Sequence, residues 1–378
     1  MTLARTMQVP LSMQDITRRE IDAVLAVLTS DRLSIGPRLE AFEDAVARRA
    51  GRAFAVGVNS GTSALHLCVK GLGLQPGDEV ITTPFSFIAT TNCLLFEQVQ
   101  PVFVDIDPLS YNLNPDAIEA AITPRTAAIL PVEAFGNLAH FDRHEQIARR
   151  RGLAFIEDCC EALGGRLGER PAGSFGQCGA FAFYPNKQIT TGEGGMLVTD
   201  DPQIRDLARS LRNQGRATDD WLAHARLGYN YRLSELAAAL GEVQMVRLDD
   251  ILECRRRVAR LYHDALADLD ALHLPAMAQP HDASWFVYVV RLADDFSAQD
   301  RDAILARLRQ MGVGCNNYFS PIHLQPYIVE RFGTRAGQFP RTEHAADRTI
   351  ALPFFSRMSE GQVAYVADAL ADAIDRPQ

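Results

Sequence analysis

The sequence predicts an α/β protein with a mainly parallel central sheet covered by helices, followed by a smaller α+β domain. Three observations support this prediction. Short apolar runs alternate with helical stretches from Ala53 to about Asp200, which is typical of strand–helix–strand units. The alternation fades beyond Asp200, where helical sequence dominates. A chain of 378 residues with 47% hydrophobic content is long enough to bury two cores.

The elements follow in a simple order. The residues after Ser12 predict a first helix with apolar side chains on one side, and Pro37 begins a second helix that ends at Gly51. The alternating region then comprises the apolar runs AFAVGV, EVITT, PVFVDI, TAAILPV, LAFIED, AFAFY and GGMLVTD, separated by helices and by turn signals such as PGD and DP.

The second half of the chain predicts one long connecting helix from Ser234 to about Leu269. The strand WFVYVVRL, the helix AQDRDAILARLRQMG and the C-terminal helix EGQVAYVADALADAI follow it. We therefore expect a large α/β domain over residues 1–250 and a small α+β domain over residues 251–378.

Charge and composition exclude several classes of protein. A net charge of -9 and a pI near 5.5 argue against a nucleic-acid partner. The basic cluster at Arg255, Arg256, Arg257 and Arg260 follows a helical pattern and predicts a solvated helix face. The sequence contains neither a signal peptide nor an apolar run long enough to span a bilayer, and its seven cysteines form no CxxC pair. We expect a cytoplasmic protein that binds no membrane.

The segment from Asn59 to Leu65 lies where a strand ends and a helix begins. Backbone N–H groups, the hydroxyls and the positive end of the helix dipole converge there, which suits a phosphate. Gly61, Thr62 and Ser63 are the candidate residues. Simple capping of the helix by Ser60 or Thr62 explains the same pattern, and the motif alone does not decide between the two.

A second segment, FIEDCCE, places Asp158 and Glu161 near the carboxyl end of a strand, the edge at which open parallel sheets bind ligands. The nine histidines show no zinc-ligand spacing, so we predict no metal site. An acid that faces a protonated heterocycle is the better hypothesis.

The third segment is AFAFYPNKQITTGEGG, in which one lysine, Lys187, lies in a proline turn before a glycine-rich return into another strand. Desolvation makes an amine nucleophilic enough to form an imine with a carbonyl. A surface lysine is the ordinary interpretation. The order of phosphate site, acid and lysine on successive strand ends favours the reactive one.

These segments, together with PFSFIATTN, LRNQG, GYNYRLSELAAALG and NYFSPIHLQP, resemble the DegT/DnrJ/EryC1/StrS sugar aminotransferases, within fold type I of the pyridoxal-phosphate enzymes. The resemblance covers most of the chain. It implies pyridoxal 5'-phosphate as cofactor, L-glutamate as amino donor and a keto-sugar carried on a nucleotide as acceptor, aminated at C4 or C3.

The resemblance also implies roles for individual residues. Lys187 resembles the lysine that binds the cofactor and shuttles the proton, and Asp158 resembles the acid that pairs with the pyridine nitrogen. Phe87 resembles the aromatic side chain that stacks on the cofactor ring, although a core phenylalanine is the default. Asn230 resembles the asparagine that reaches the neighbouring subunit's cofactor phosphate, which implies a homodimer with shared sites.

Five further positions are weaker candidates or differ from the family. Tyr318 and His323 resemble residues near the substrate, and Glu193 is a candidate because it follows Lys187 closely in sequence. Ala182 stands where many relatives have a phosphate-binding serine, and Glu133 stands where many have histidine.

Glu161 stands where relatives often have glutamine, beside the cofactor's phenolic oxygen. A carboxylate there would be repelled by the phenolate unless it is protonated.

Several alternatives are weighed against this hypothesis. A deoxygenating dehydratase of the same family would have histidine in place of Lys187. An aminotransferase acting on a cyclitol or on an aminohydroxybenzoate precursor would differ only in its acceptor pocket, and it stays open. A non-catalytic cofactor-binding sensor predicts a damaged catalytic set, which this chain does not have. A nicotinamide dehydrogenase is disfavoured because no GxGxxG follows the first strand.

Overall fold

The computed structural model describes residues 7–217, 222–275 and 281–375. The outermost parts of both predicted domains, residues 1–6 and 376–378, and the internal stretches 218–221 and 276–280 lie outside the described residues. The strands are β1 Phe54–Val58, β2 Glu79–Thr82, β3 Gln100–Phe103, β4 Thr126–Leu130, β5 Ala154–Asp158, β6 Arg166–Leu167, β7 Arg170–Pro171, β8 Cys178–Ala182, β9 Gly195–Thr199, β10 Leu272–His273, β11 His281–Asp282, β12 Tyr288–Leu292 and β13 Thr349–Leu352.

Helices connect and flank these strands. They are α1 Arg18–Leu28, α2 Pro37–Ala50, α3 Gly61–Gly71, α4 Ala89–Leu95, α5 Pro115–Ala121, α6 Phe141–Arg151, α7 Pro202–Arg212, α8 Glu235–Val246, α9 Leu248–Leu266, α10 Ala298–Gln310, α11 Pro326–Phe332, α12 Pro340–Arg348 and α13 Glu360–Asp375. Within the described part of the chain, each of these helices is too short or too polar to cross a lipid bilayer.

The central sheet has seven strands in the order β1-β9-β8-β5-β4-β2-β3. β9 is antiparallel to both of its neighbours, and the other neighbouring pairs are parallel. The predicted mainly parallel sheet is thus confirmed. Because β9 runs against the rest, its amino end lies at the same edge as the carboxyl ends of the other strands.

Helices cover both faces of this sheet, as the apolar strands predict. Successive residues of a strand enter different cores: Ala55 and Phe155 pack with α2 and α6 on one face, whereas Val56 and Ile156 pack with α3 and α7 on the other. The edge at which the carboxyl ends of the parallel strands meet therefore belongs to a sheet that is buried on both faces.

A further core forms around the antiparallel sheet β10-β12-β13. Tyr262 from α9, Tyr288 from β12 and Leu370 from α13 are fully buried in it, and Val9 joins it through a bridge to Val313. The domain boundary near residue 250 stays a prediction.

The prediction of one long connecting helix is wrong. Two helices, α8 and α9, occupy that region, and Arg247 joins them with φ -97° and ψ 2°. The Arg247 guanidinium is bound by Asp15 and Glu20, beside the start of α1. This tertiary contact fixes the break in a stretch that has no Gly or Pro at the junction.

The first helix also differs from its prediction. It begins at Arg18 after a capping box formed by Thr17 and Glu20, several residues later than Ser12 suggested. Ile21, Leu25 and Leu28 are exposed, so the apolar side of α1 faces away from the core of this chain.

Candidate active site

A cavity of about 520 Å³ opens at the carboxyl edge of the central sheet. Its walls come from segments that follow β1, β2, β4, β5 and β8 and from the segment that precedes β9, and residues 286, 318 and 319 close it from the C-terminal part of the chain. Eight of the sequence-predicted residues line it: Gly61, Thr62, Phe87, Asp158, Glu161, Lys187, Glu193 and Tyr318.

Lys187 projects into this cavity from the connection between β8 and β9. Its backbone N–H closes a turn onto the Tyr184 carbonyl at 2.9 Å. Its Nζ lies 3.6 Å from Glu161 Oε1 and 3.9 Å from the centre of the Phe286 ring. Lys187 is therefore held between a carboxyl group and an aromatic face rather than displayed on the surface, which fits the reactive interpretation.

Arg255 holds the backbone that carries the Phe286 ring. The guanidinium donates to the backbone carbonyls of Trp285 at 2.6 Å and Phe286 at 2.7 Å. Arg255 is buried, and burial lowers its pKa to about 10. The prediction of a solvated helix face is thus wrong for Arg255, because its charged group replaces water for two buried carbonyls.

Asp158 ends β5 and is buried at the floor of the cavity. Its Oδ2 accepts a hydrogen bond of 2.7 Å from the Thr90 hydroxyl, and its Oδ1 accepts one of 3.2 Å from the Cys160 N–H. The Ser86 hydroxyl lies 2.9 Å from that of Thr90. These contacts fix the carboxylate in one orientation toward the cavity.

The amino end of α3 forms another wall. Ser60 caps the helix by accepting a hydrogen bond from the Ser63 N–H at 3.1 Å, so the predicted capping is present, while Gly61 and Thr62 still face the cavity. The first N–H groups of a helix have no partner within it and attract anions. A Cβ on Gly61 would lie 2.6 Å from the Ala182 Cβ, so the close approach of the two segments requires glycine.

Glu161 is buried and both of its oxygens face partners. Oε2 accepts a hydrogen bond of 2.9 Å from the Phe135 N–H, and Oε1 faces Lys187. Burial raises the pKa of Glu161 above its ordinary value, although the Lys187 charge works in the opposite direction.

Glu133 lies behind Asp158 and is fully buried. Neither of its carboxyl oxygens has a hydrogen-bond partner of ordinary geometry among the described residues. Burial and the neighbouring Glu157 carboxyl raise the pKa of Glu133 well above its ordinary value, because both disfavour its charged form. Glu157, by contrast, accepts hydrogen bonds from the backbone N–H groups of residues 173, 175 and 176.

Three predicted residues are absent from the cavity lining in the part of the chain that the structure describes: Ser63, Asn230 and His323. The Ser63 hydroxyl donates to Asn59 Oδ1 at 2.7 Å. His323 is buried beside Glu343, with Nε2 3.1 Å from Oε1. Asn230 is exposed, between Tyr229 and Tyr231, whose rings stack at 4.8 Å.

Phe87 lines the cavity and is 64% exposed, so it is not the core phenylalanine of the default interpretation. Tyr318 also lines the cavity, and its hydroxyl accepts a hydrogen bond of 3.5 Å from Asn186 Nδ2. Burial, and to a lesser degree Glu161, raise the pKa of Tyr318. The cavity lining thus includes aromatic groups.

The contributors to the site that the sequence reasoning missed include Ser86, Thr90, Asn186 and Phe286. Ser86 and Thr90 lie in PFSFIATTN, where buried hydroxyls after a strand were an available signal. Phe286 gave no such signal, because it is far from Lys187 in sequence and reaches it only through tertiary packing.

The donor set fits pyridoxal phosphate. A lysine, a fixed carboxylate, an exposed aromatic ring and a helix amino terminus face one cavity, and they match the cofactor's aldehyde, ring nitrogen, ring face and phosphate. The close approach at Gly61 leaves backbone rather than side chain against the phosphate end.

Comparison with known proteins agrees with this arrangement. Residues 14–371 match the profile of the DegT/DnrJ/EryC1/StrS aminotransferase family. The spore coat polysaccharide biosynthesis protein SpsC of Bacillus subtilis is 35% identical over 376 residues, which cover 97% of this chain and 97% of SpsC.

Two solved structures are similar over nearly their whole length. DesV of S. venezuelae, in complex with a ketimine intermediate, superposes with a TM-score of 0.90 at 34% identity, covering 98% of this chain and 99% of DesV. PseC of Helicobacter pylori, an aminotransferase involved in the biosynthesis of pseudoaminic acid, superposes with a TM-score of 0.93 at 27% identity, covering 98% of this chain and 100% of PseC.

Proposed function

The chain belongs to the DegT/DnrJ/EryC1/StrS family of pyridoxal-phosphate-dependent aminotransferases, and on that premise we propose that it moves the amino group of L-glutamate to a nucleotide-linked keto-sugar, at C4 or C3. The observation that carries the proposal is the convergence of Lys187, Asp158, Phe87 and the amino end of α3 on one cavity. The biosynthetic roles named for SpsC and PseC support a sugar acceptor.

The cofactor, when bound, supplies an electron sink for the carbanion that forms at the amino-bearing carbon. Asp158 would hold the proton on the ring nitrogen, and the Thr90 hydroxyl and the Cys160 N–H keep its carboxylate oriented. Gly61 and Thr62 would hold the phosphate through the amino end of α3, and Phe87 would cover the ring. Ala182 offers no hydroxyl for the phosphate.

Lys187 would hold the cofactor through Nζ and, while that nitrogen is free, would move a proton at Nζ between the donor carbon and the cofactor. Phe286 excludes water from one side of Nζ, because its ring lies 3.9 Å from that atom, and the Tyr318 ring packs against Phe286 at 6.3 Å. Tyr318 and the exposed Glu193 are the residues we propose to contact the sugar. His323 is buried behind this surface, so we assign it an indirect role at most.

Asn230 supports a homodimer with shared active sites. It is exposed and outside its own chain's cavity lining, on a segment braced by stacked Tyr229 and Tyr231. The exposed apolar side of α1 offers further surface for association. Mixing Lys187→Ala and Asn230→Ala variants should restore part of the lost activity if two subunits build each site, whereas no recovery would indicate sites within single chains.

The decisive test is the visible absorption spectrum of the purified protein before and after L-glutamate, with Lys187→Ala alongside. We expect a band from the lysine-bound cofactor that bleaches with glutamate and returns with a keto-sugar nucleotide, and no such band in the variant. Return of the band with a cyclitol ketone or an aminohydroxybenzoate precursor instead would identify the alternative acceptor. A band that ignores every amino donor would favour the sensor.

A further inference from the structure

The Lys187–Glu161 pair is a feature that the proposed chemistry leaves unused. Oε1 of Glu161 lies 3.6 Å from Nζ of Lys187, with side chains only 5% and 11% exposed, respectively. The Phe135 N–H fixes the other oxygen at 2.9 Å, so the carboxyl group cannot rotate away without losing a buried hydrogen bond. A glutamine at this position would carry no charge.

Other charged or titratable groups around Glu161 are few in the described residues. Asp158 disfavours its ionisation, whereas Lys187 favours it. Cys160 and Tyr318 also interact with Glu161, and burial raises the pKa of both, so each is neutral near pH 7. Lys187 is thus the nearby cation whose charge balances that of Glu161.

We propose that Glu161 is a positioning residue that controls the protonation of Lys187: it is a carboxylate while Lys187 is an ammonium, and it takes that proton when the Lys187 nitrogen reacts with a carbonyl. One proton moves from Nζ to Oε1, which leaves a neutral amine and a neutral acid. The lone pair of the amine then forms the nitrogen–carbon bond, and the carbonyl oxygen leaves as water with the two remaining Nζ protons.

This proposal rests on the proposed function, because it concerns the lysine that binds the cofactor. It also resolves the clash between a carboxylate and the cofactor's phenolate, since Glu161 is neutral once Lys187 has reacted. The pair therefore changes its charge state together, with no net charge buried at either stage.

The chain is well suited to a direct test, since it contains two lysines, Lys70 and Lys187. Lys70 Nζ lies 2.8 Å from Glu97 Oε2 and is the internal control. The cofactor-free protein is treated with formaldehyde and cyanoborohydride across a range of pH, and the methylation rate of each lysine is read by mass spectrometry. No cofactor is needed for this readout.

We expect Glu161→Gln to move the pH midpoint of Lys187 methylation down by about one unit or more, because an opposite charge within 4–6 Å shifts a titration by roughly one to three units. Lys70 should keep its midpoint. The reciprocal variant Glu97→Gln should move the Lys70 midpoint and leave that of Lys187 in place. Glu161→Asp, which keeps a charge, should give a Lys187 midpoint between those of the wild type and Glu161→Gln.

An unchanged Lys187 midpoint in Glu161→Gln, in protein whose Lys70 midpoint and circular dichroism match the wild type, would overturn the inference. The cofactor spectrum separates this from failure of the proposed function. A normal cofactor absorption band together with an unchanged Lys187 methylation midpoint would rule out the role of Glu161 and leave the aminotransferase proposal standing. A shifted midpoint in a protein that never acquires the band supports the pair and removes the aminotransferase proposal.

Discussion

Arg255 holds the backbone carbonyl of Phe286 at 2.7 Å, and through this contact a residue of α9 sets the position of the ring that faces Lys187. Nearly all of Arg255 is buried, so its guanidinium has exchanged water for protein carbonyls. Replacing it therefore affects both stability and the wall of the cavity.

The first prediction is that Arg255→Met lowers the free energy of unfolding by about 2 kcal/mol or more, because two buried carbonyls lose their donors. Urea denaturation measures this. Arg260→Met is the matched control: Arg260 is exposed and pairs with exposed Glu253, so its loss should cost under about 1 kcal/mol. Equal costs for the two variants would contradict the role of Arg255.

The second prediction compares two adjacent threonines. Thr90→Val removes the hydroxyl that donates to Asp158 and leaves a buried carboxylate oxygen without its partner, so we expect the affinity for pyridoxal phosphate to fall about tenfold or more. Thr91 is also buried, but its hydroxyl has no hydrogen-bond partner among the described residues, so Thr91→Val should leave the affinity unchanged. Absorbance titration of the cofactor-free proteins checks both, and a loss of similar size in the two would argue against orientation of Asp158.

The third prediction concerns the approach of α3 to β8. Gly61→Ala places a methyl group 2.6 Å from the Ala182 Cβ, so the amino end of α3 must move, and both thermal stability and cofactor binding should fall. Adding Ala182→Gly removes the opposing methyl and should recover part of both losses. If the second change brings no recovery, crowding at this contact is not the cause.

The fourth prediction is a pH dependence. Glu133 has a pKa raised by burial, so above the ordinary carboxyl pKa of about 4.3 the folded state must retain a proton that the unfolded chain releases. The resulting cost grows by about 1.4 kcal/mol per pH unit until the folded-state pKa is reached. Stability of the wild type should therefore fall relative to Glu133→Gln as the pH rises above the ordinary carboxyl pKa, until the raised folded-state pKa is reached.

Denaturation of the two proteins at several pH values measures this difference. The exposed Glu330→Gln is the control and should show no such trend. A constant difference between wild type and Glu133→Gln at all pH values would mean that Glu133 is ionised in the folded protein.

Much of the site was predictable because the ends of strands can be recognised in the sequence. Lys187, Asp158 and Gly61 each adjoin an apolar run, and the carboxyl ends of parallel strands meet at one edge. The family resemblance added their chemical roles. Phe87 was expected at the site on that basis, and its exposure beside the cavity agrees with the expectation.

The remaining features depend on contacts between distant segments. The break at Arg247 arises from acids beside α1, and the burial of Arg255 arises from carbonyls that precede β12. A helical charge pattern predicts that Arg255 is solvated, because the pattern carries no information about what packs against the helix. His323 was expected near the substrate from the family resemblance, whereas its Nε2 lies beside Glu343.

The reversed direction of β9 has a consequence for motion. The connection that carries Lys187 leaves the sheet at the end of β8 and returns to the same edge at the start of β9, with both strands hydrogen-bonded along their length. Both ends of this span are therefore anchored to buried strands of the central sheet. Local unfolding that exposes Lys187 must separate central strands, so the backbone amides of β8 and β9 should be among the slowest to exchange with deuterated solvent.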